Sequence, residues 1–323
     1  MAAGVRWLTG EAARLYGWGW EMRRRAYAAG WRRPRVVAAR VVSVGNLTVG
    51  GTGKTTLVLD LARRLLAVGR NLAVVCRDYR PGPAGRGDEA LLLGEAVGAE
   101  RVFSGRSKRE QAGRAAALGH DPILVDDGFS HWGLERDLDL VLVDARDPWG
   151  GGALLPAGRL REPKRALQRA DIVVISRVES EGAAPDLLAE VRRLAPAALI
   201  AAGRHRVTGV RHPTAAVAGG PARVVTGTGN PQAVAASARE AGYDPVVLSA
   251  YRDHHWFSAR EAGREFDAAR AAGATLLVTA KDAVRWPSPP LPAVLEVEWH
   301  WVLGGDAVMA RLVERVSQAE AKR

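Results

Sequence analysis

The eight residues TVGGTGKT, from Thr48 to Thr55, decide which fold this chain is expected to adopt. They follow the β-branched run VVSV at 41–44 and open an amphipathic segment at 54–68, so the order is strand, glycine-rich turn and helix. In that context the backbone N–H groups at the start of the helix point at phosphate oxygens, and the helix dipole favours negative charge there. The stretch therefore predicts a phosphate-binding loop.

One position of this loop departs from the usual pattern, which has a glycine where this chain has Thr48. The three glycines between positions 50 and 53 still permit a tight anion-binding turn. Lys54 is placed to reach the β- and γ-phosphates, and the Thr55 hydroxyl is placed to hold Mg²⁺. We expect the nucleotide to be bound by Thr48, Val49, Gly50, Gly51, Thr52, Gly53, Lys54, Thr55 and Thr56.

Short β-branched runs alternate with longer amphipathic segments along most of the chain. This alternation predicts parallel strands covered on both faces by helices. The predicted strands lie at 41–44, 72–76, 122–125, 139–143, 171–175, 223–226, 245–248 and 275–279. The predicted helices lie at 54–68, 107–118, 231–241 and 258–272.

The expected fold class is α/β, with a P-loop NTPase-like parallel sheet lobe, a second and smaller α/β lobe, and an N-terminal amphipathic helix. The Ala/Pro-rich stretch 195–202 marks the boundary region between the lobes. We expect an N-terminal helical segment at 1–35, a nucleotide-binding lobe at 36–205 and a C-terminal lobe at 206–323. The C-terminal lobe is expected to contribute to an active site between the lobes.

Two adjacent aspartates follow the third predicted strand, and they supply the carboxylate that a phosphate loop needs for its metal. Asp126 and Asp127 come directly after the apolar run ILV, as the acid of a Walker B element would. The predicted strand 171–175 is followed by SRVE instead of the Asn-Lys-x-Asp pattern of many guanine-specific proteins. This difference favours ATP as the nucleotide.

The charge of the chain indicates an anionic partner. The formal net charge is +11 over 323 residues, and the first forty residues carry nine arginines against two glutamates. The single cysteine, Cys76, cannot form an internal disulfide, which fits a reducing compartment, with the cytoplasm as the default. We expect no secretory signal, because charges interrupt the apolar residues near the N-terminus. No apolar run reaches the roughly 18 to 20 residues that span a bilayer.

The N-terminal segment combines aromatic and basic residues, which is typical of a helix at a membrane interface. Apolar residues recur there at helical spacing, namely Leu8, Ala12, Leu15, Trp18 and Met22. The triplet Arg23-Arg24-Arg25 follows them. The pattern alone leaves open whether this helix lies on a membrane or packs on its own domain with the arginines in solvent. A nucleic-acid-binding arm is a third reading, but the chain carries no nucleic-acid recognition motif.

Eight motifs occur in the order found in tetraacyldisaccharide 4′-kinases, and the chain resembles that family from about residue 10 to residue 290. The motifs are SVGNLTVGGTGKT (43–55), GDEA (87–90), DDGFSH (126–131), RDLDLVLVDA (136–145), LLPAGRLREP (154–163), GTGNP (227–231), DHH (253–255) and KDAV (281–284). Proteins of this family resemble P-loop ATPases in fold. They transfer the γ-phosphate of ATP to the 4′-hydroxyl of a lipid A precursor.

The resemblance implies roles for residues that the P-loop does not explain. Asp88 stands at the place of the catalytic aspartate that takes the proton from the sugar hydroxyl, and His254 matches its histidine partner. His255 is an alternative partner that sequence does not exclude. The resemblance makes Asp88, His254, Lys54 and Arg161 the expected catalytic residues. It makes Thr55, Asp126, Asp127 and Glu162 the expected ligands around Mg²⁺.

The family substrate, tetraacyldisaccharide 1-phosphate, is an anionic glycolipid embedded in a membrane. The resemblance therefore implies a peripheral protein on the cytoplasmic face of the bacterial inner membrane, docked through its N-terminal Trp/Arg segment. The excess positive charge then has a partner without nucleic acid. The sequence does not establish the oligomeric state.

The chain departs from the family at several positions, most clearly at 76–80. It reads Cys-Arg-Asp-Tyr-Arg there, where the family usually reads Ser-Arg-Gly-Tyr-Gly, so an acid and a bulky base replace two glycines. Thr56, Ser130 and Ala280 are further departures. We expect activity, with an altered rate or substrate preference. The competing hypotheses are a P-loop NTPase that acts as an assembly or metal-delivery switch, and a noncatalytic membrane-binding relative.

Overall fold

The computed structural model describes residues 2–83, 85–213, 219–287 and 289–317, with side chains from residue 9 onward. The chain divides into two compact units. The first comprises Met1–Cys76, Glu100–Arg204 and Trp299–Arg323, and the second comprises Arg77–Ala99 and His205–Glu298.

This division differs from the single boundary near residue 205 that the sequence pattern predicted. Residues 77–99 belong to the second unit, and the C-terminal residues from 299 belong to the first. The reason is tertiary packing, because the helix that begins at Asp88 packs against the short helix at Ala280–Ala283. A reading of local composition does not detect a segment that leaves one unit and returns to it.

Eleven strands are defined within the described ranges. They are β1 (Val41–Asn46), β2 (Ala73–Arg77), β3 (Val102–Gly105), β4 (Ile123–Asp126), β5 (Leu138–Asp144), β6 (Ile172–Ser176), β7 (Leu199–Arg211), β8 (Gly220–Thr226), β9 (Tyr243–Ala250), β10 (Thr275–Thr279) and β11 (Ala293–Leu303). The α-helices are α1 (Ala2–Ala28), α2 (Lys54–Ala67), α3 (Asp88–Val97), α4 (Lys108–Ala117), α5 (Pro185–Leu194), α6 (Pro231–Glu240), α7 (Ala259–Ala271), α8 (Ala280–Ala283) and α9 (Gly305–Ser317).

The first unit is built on a sheet with the order β3-β2-β4-β1-β5-β6-β7. The pairs from β2 to β7 are parallel, with Val42 opposite Leu124 on one side and Leu138 on the other. Because the strands are parallel, their carboxyl ends lie at the same edge of the sheet, which is where α/β proteins bind ligands. Asn46, Asp126 and Asp144 end three of these strands. The predicted parallel α/β fold is confirmed.

Two hydrophobic cores lie along one face of this sheet, because the register places Gly45 of β1 beside Val141 of β5, on the side to which Val41 also points. The first core contains Val41, Val75, Val125 and alanines of α4, and the second contains Val141, Val173 and residues that cover them. Phe129, which is fully buried, belongs to the second core and anchors the turn after β4. The acids Asp126 and Asp127 are thereby held close to a rigid part of the molecule.

The second unit contains the neighbouring strands β11, β10, β8 and β9, in that order, and their pairs are parallel. Successive residues of β8 face opposite cores, since Val224 packs with Leu277 and Leu295 while Val225 packs with Val278. The helices α6 and α7 pack on this sheet. The unit therefore has a complete hydrophobic core of its own.

The N-terminal helix α1 buries one face on the first unit and exposes another. Trp20 is 9% exposed and its ring lies 6.3 Å from that of Trp132, while the Tyr16 hydroxyl donates to the Arg161 carbonyl at 2.9 Å. Leu15 and Trp18 are 71% and 66% exposed. The helix thus packs on its own domain, as one reading proposed, and still presents apolar residues to solvent. Among the residues that the structure describes, no helix is long and apolar enough to cross a membrane.

A glycine near the end of β1 allows Phe129 to pack directly on the strand. A Cβ at Gly45 would lie 2.4 Å from the Phe129 Cβ and 2.8 Å from its backbone nitrogen. Because backbone cannot move aside as a flexible side chain can, we expect Gly45→Ala to lower the free energy of unfolding by about 1 to 3 kcal/mol. Urea denaturation measures the change. Gly209→Ala, in a strand position where a Cβ meets nothing within 4 Å, is the control, and equal midpoints for the two variants would contradict the prediction.

Candidate active site

The loop between β1 and α2 has the geometry of an anion-binding turn. Gly50 and Gly53 have φ values of 117° and 86°, which a residue with a side chain rarely adopts. Helix α2 begins at Lys54 directly after Gly53, and no side chain caps its N-terminus. The first backbone N–H groups of the helix therefore remain available for phosphate oxygens.

Thr48, the departure from the usual loop pattern, has a structural role at the entrance of the loop. Its carbonyl and its hydroxyl accept hydrogen bonds from the Asn46 side-chain amide at 2.9 and 3.2 Å. The next residue, Val49, donates its backbone N–H to the Arg159 carbonyl at 2.8 Å. The base of the loop is thus fixed by the segment 154–163, and a threonine at position 48 is compatible with this loop conformation.

Lys54 lies in a network of charged and polar side chains at the carboxyl edge of the sheet. Its Nζ donates to Asn46 Oδ1 at 3.0 Å and lies 3.6 Å from Asp127 Oδ1. Both terminal nitrogens of Arg161 donate hydrogen bonds to the Asp127 carboxylate, at 2.7 and 2.8 Å, and Arg161 also contacts Asn46 Oδ1. The structure therefore brings together the two expected cationic catalytic residues, and it adds Asn46 between them.

The electrostatics of this network keep Asp127 ionised. Burial of the carboxyl group opposes its charge, but the hydrogen bonds from Arg161 and the charge of Lys54 outweigh burial and hold the pKa of Asp127 well below its usual range. Both carboxylate oxygens face Arg161. In this arrangement Asp127 acts as the counter-charge that orients the two cations.

The expected metal ligands occupy three different environments. The Thr55 hydroxyl donates to Asp126 Oδ2 at 3.3 Å, while Asp127 is engaged by Arg161. Glu162 is 2% exposed and pairs with Arg169, and its Oε1 has no hydrogen-bond partner among the described residues. Within the described ranges, no group of three or more His, Cys, Asp or Glu side chains is arranged to hold a metal. Thr55 and Asp126 are thus the pair that adjoins the phosphate loop.

Arg177 contacts the phosphate loop, although sequence reasoning considered this segment only for the absence of a guanine-specific motif. It follows β6 with a φ of 61°, donates to the Gly51 carbonyl at 2.9 Å and pairs with Asp144. Its signal in the sequence was its position directly after a buried parallel strand, the same position that identified Asp127 after β4. Asn46, which ends β1, gave the same kind of signal.

The second unit contains a buried pair of Asp88 and His254. His254 Nδ1 lies 2.9 Å from Asp88 Oδ2 and 3.1 Å from Asp88 Oδ1. Asp88 is the first residue of α3 and is 2% exposed, so the helix N-terminus favours its charge. His255 instead lies 3.2 Å from Glu261 and stacks on Tyr251. The geometry therefore pairs Asp88 with His254 and places its neighbour elsewhere.

Two cationic side chains lie near Asp88. Arg285 Nε and Lys281 Nζ lie 3.6 and 3.8 Å from Asp88 Oδ2. Burial opposes ionisation of this carboxyl, but the hydrogen bond from His254 and the nearby cations outweigh it and lower the pKa of Asp88. The aspartate is therefore ionised at neutral pH and is a ready hydrogen-bond acceptor.

Arg285 also forms a fully buried ion pair with Asp282, and through Arg285 this pair contacts Asp88. Arg285 donates to Asp282 Oδ1 at 2.6 Å and to the Gly227 carbonyl at 3.0 Å, and Asp282 also accepts from the Gly227 backbone N–H at 2.8 Å. The same Gly227 carbonyl accepts the backbone N–H of His254 at 3.0 Å. The motifs GTGNP and KDAV therefore meet behind the Asp88–His254 pair.

Comparisons with known proteins identify the family of this chain. The family model described as tetraacyldisaccharide-1-P 4′-kinase matches residues 5–319. The tetraacyldisaccharide 4′-kinase of Geobacter metallireducens is 36% identical over 289 residues, which cover 82% of this chain and 83% of the relative. The same enzyme of Syntrophobacter fumaroxidans is 38% identical over 294 residues, covering 83% and 76%.

A solved structure is similar over nearly the whole chain. The crystal structure of the "apo" form of LpxK from Aquifex aeolicus in complex with ATP covers 97% of this chain and 99% of its own, with a TM-score of 0.72 and 22% identity. At this level of identity the similarity shows the fold.

Proposed function

The chain belongs to the tetraacyldisaccharide-1-P 4′-kinase family, and from this premise we propose how its residues carry out the reaction. The protein is a kinase that phosphorylates the 4′-hydroxyl of tetraacyldisaccharide 1-phosphate in lipid A biosynthesis. The single observation that carries the mechanism is the buried Asp88–His254 pair, with Nδ1 and Oδ2 separated by 2.9 Å. A nucleotide switch has no need of such a pair.

The phosphate donor, ATP, is bound by the loop from Thr48 to Thr56. The backbone N–H groups before and at the start of α2 hold the phosphates, and Lys54 reaches the terminal phosphate. To do so Lys54 exchanges its contact with Asn46 Oδ1 for a phosphate oxygen. Arg161 lies beside the same amide oxygen and contributes a second positive charge to the transferring phosphoryl group.

The residues beside the loop fit a magnesium ion. The Thr55 hydroxyl and the Asp126 carboxylate are hard oxygen donors only 3.3 Å apart, at the end of β4 and the start of α2. We assign the ion to these two residues, and Glu162, whose Oε1 has no hydrogen-bond partner among the described residues, stays a further candidate ligand. When bound, Mg²⁺ neutralises charge on the β- and γ-phosphates. Asp127 orients Arg161 and Lys54.

The proton of the 4′-hydroxyl is removed by Asp88. An ionised carboxylate accepts a hydrogen bond from the hydroxyl and then its proton, while His254 donates from Nδ1 and fixes the orientation of the carboxylate. Lys281 and Arg285 offset the charge of Asp88 before transfer.

Nucleotide hydrolysis with and without the lipid acceptor tests this function against an NTPase switch. We expect ATP consumption by the protein alone to be slow. It should rise strongly when tetraacyldisaccharide 1-phosphate is added, because the sugar hydroxyl that Asp88 deprotonates is then present to accept the phosphate. Equal rates with and without the acceptor would favour the switch. A noncatalytic relative would consume no ATP under either condition.

The exposed face of α1 is proposed to dock the protein on the cytoplasmic face of the inner membrane. Leu15, Trp18 and Met22 follow one another at helical spacing and are 71%, 66% and 41% exposed. Exposed arginines flank this face at positions 14 and 25, and basic residues attract anionic lipid. Because Tyr16 on the same helix holds the Arg161 carbonyl, the docked helix is directly connected to the phosphate site.

Replacing the three exposed residues together, as Leu15→Ser, Trp18→Ser and Met22→Ser, is expected to weaken binding to vesicles rich in anionic phospholipid. The loss is about tenfold or more, because each side chain contributes on the order of 1 kcal/mol when it leaves water. Co-sedimentation measures the change. The matched control is Val68→Ser with Leu118→Ser, which removes apolar residues that are 57% and 68% exposed elsewhere. Unaltered partition of the triple variant would rule out this face as the dock.

A further inference from the structure

The two residues that replace family glycines after β2 each contact the backbone next to one member of the Asp88–His254 pair. Asp78 and Arg80 stand where the family motif usually has glycine, and a glycine has no side chain to make such contacts. Both lie in the second unit, as the pair does.

Asp78 holds the start of the helix that carries Asp88. Its Oδ1 accepts the backbone N–H of Gly87 at 3.0 Å, and Gly87 is the residue immediately before Asp88. Gly87 is the N-cap of α3 and offers no side chain of its own. A Cβ on Gly87 would lie 3.2 Å from the Tyr79 nitrogen, so the two backbone segments pack closely. The Asp78 carboxylate therefore fixes the backbone from which Asp88 projects.

Arg80 holds the turn that carries His254. Its Nη1 donates to the carbonyl of Asp253 at 3.0 Å, and Asp253 is the residue immediately before His254. The Arg80 carbonyl in turn accepts from Trp256 Nε1 at 3.0 Å, two residues after the histidine. Both flanks of His254 are thus tied to one residue. His254 itself has a φ of 60°, so its turn has an uncommon backbone conformation that benefits from such support.

Tyr79, between the two, completes the contact with the histidine ring. Its ring centroid lies 5.0 Å from that of His254 in an edge-on arrangement, and the Arg80 guanidinium lies 5.3 Å from the Tyr79 ring. The segment 78–80 therefore touches the flanks of both Asp88 and His254 and also the imidazole.

From these contacts we infer that Asp78 and Arg80 are positioning residues, which hold Asp88 and His254 in register for proton removal from the acceptor hydroxyl. The inference rests on the proposed function. The two residues that replace family glycines thus add two hydrogen bonds to the backbone, one beside Asp88 and one beside His254. Catalytic groups must be held closely, since a displacement of about 1 Å can cost on the order of 10²-fold in rate.

Substitutions that remove or keep each hydrogen bond test the inference. Asp78→Ala removes the acceptor for Gly87, whereas Asp78→Asn keeps an oxygen there. Arg80→Gly removes the donor but suits the φ of 47° at this position, so a loss of stability is not expected. Arg80→Lys keeps a donor. Arg270→Ala, which removes an exposed arginine paired with Asp267 on α7, is the matched control.

We expect Asp78→Ala and Arg80→Gly each to lower kcat for lipid phosphorylation about tenfold, with the KM for ATP unchanged. Asp78→Asn and Arg80→Lys are expected to recover most of the loss, and the control to match the parent protein. Unchanged kcat in both Asp78→Ala and Arg80→Gly would overturn the inference, as would a loss confined to the KM for ATP. If the parent protein itself forms no lipid product, the proposed function fails instead.

Discussion

Asp88→Asn is expected to lower kcat for lipid phosphorylation about 10²- to 10⁴-fold, the range that a positioned general base contributes. The substitution keeps the size of the side chain but removes the charge that accepts the proton. It also removes one of the negative charges near Lys281 and Arg285, which keep Glu89 and Asp282 as their partners. ATP affinity should change little, because Asp88 is not among the residues assigned to ATP.

Steady-state kinetics and a nucleotide-binding titration measure these two quantities. Glu95→Gln, at an exposed position on the same helix α3, is the control for the loss of a carboxylate. A variant Asp88→Asn with more than a tenth of the parent kcat would contradict the assignment of the base.

The histidine should act as one unit with this aspartate. We expect the double variant of Asp88→Asn and His254→Gln to be no slower than the slower single variant, because either change alone already disrupts the pair. Multiplicative losses would show that His254 acts independently, for example by contacting the substrate.

Lys54→Met is expected to reduce kcat about 10²- to 10³-fold, as the loss of a preorganised charge at a developing negative charge does. Methionine fills similar space but cannot donate to Asn46 or to a phosphate. The effect falls on the transition state because charge builds on the transferring group there, and a smaller rise in the KM for ATP should accompany it.

A matched control for this variant is Arg63→Met, which removes an exposed cation from the same helix α2. It should leave both kinetic constants unchanged. Retention of parent kcat in Lys54→Met would contradict the role assigned to the loop lysine.

The sequence predicted those parts of the fold that depend on local pattern. The run VVSV became β1, the loop after it has the expected glycine conformations, and the predicted helix at 54–68 is α2. Continuous apolar strands signalled parallel pairing, since only a sheet buried on both faces has them. The N-terminal helix is present, but its two faces could not be distinguished, because burial of Trp20 depends on the distant Trp132.

The sequence did not predict, or left undecided, the features that depend on contacts between distant parts of the chain. The assignment of 77–99 to the second unit rests on contacts between α3 and α8. Strand β7 occupies much of a stretch read as a boundary region, because Ala/Pro-rich composition does not reveal a strand that pairs with β6. Arg177 reaches the phosphate loop across 126 positions of the sequence. The proposed catalytic pair was expected from resemblance alone, since nothing local in GDEA or DHH indicates that these two motifs meet.

This kinase is expected to transfer phosphate from ATP to a sugar hydroxyl of a lipid A precursor. The most direct test incubates the purified protein with radiolabelled ATP, Mg²⁺ and tetraacyldisaccharide 1-phosphate and separates the lipids by chromatography. We expect a labelled bisphosphorylated lipid that forms with the parent protein and is nearly lost with Asp88→Asn. Absence of that product from a parent protein that still binds ATP would contradict this expectation.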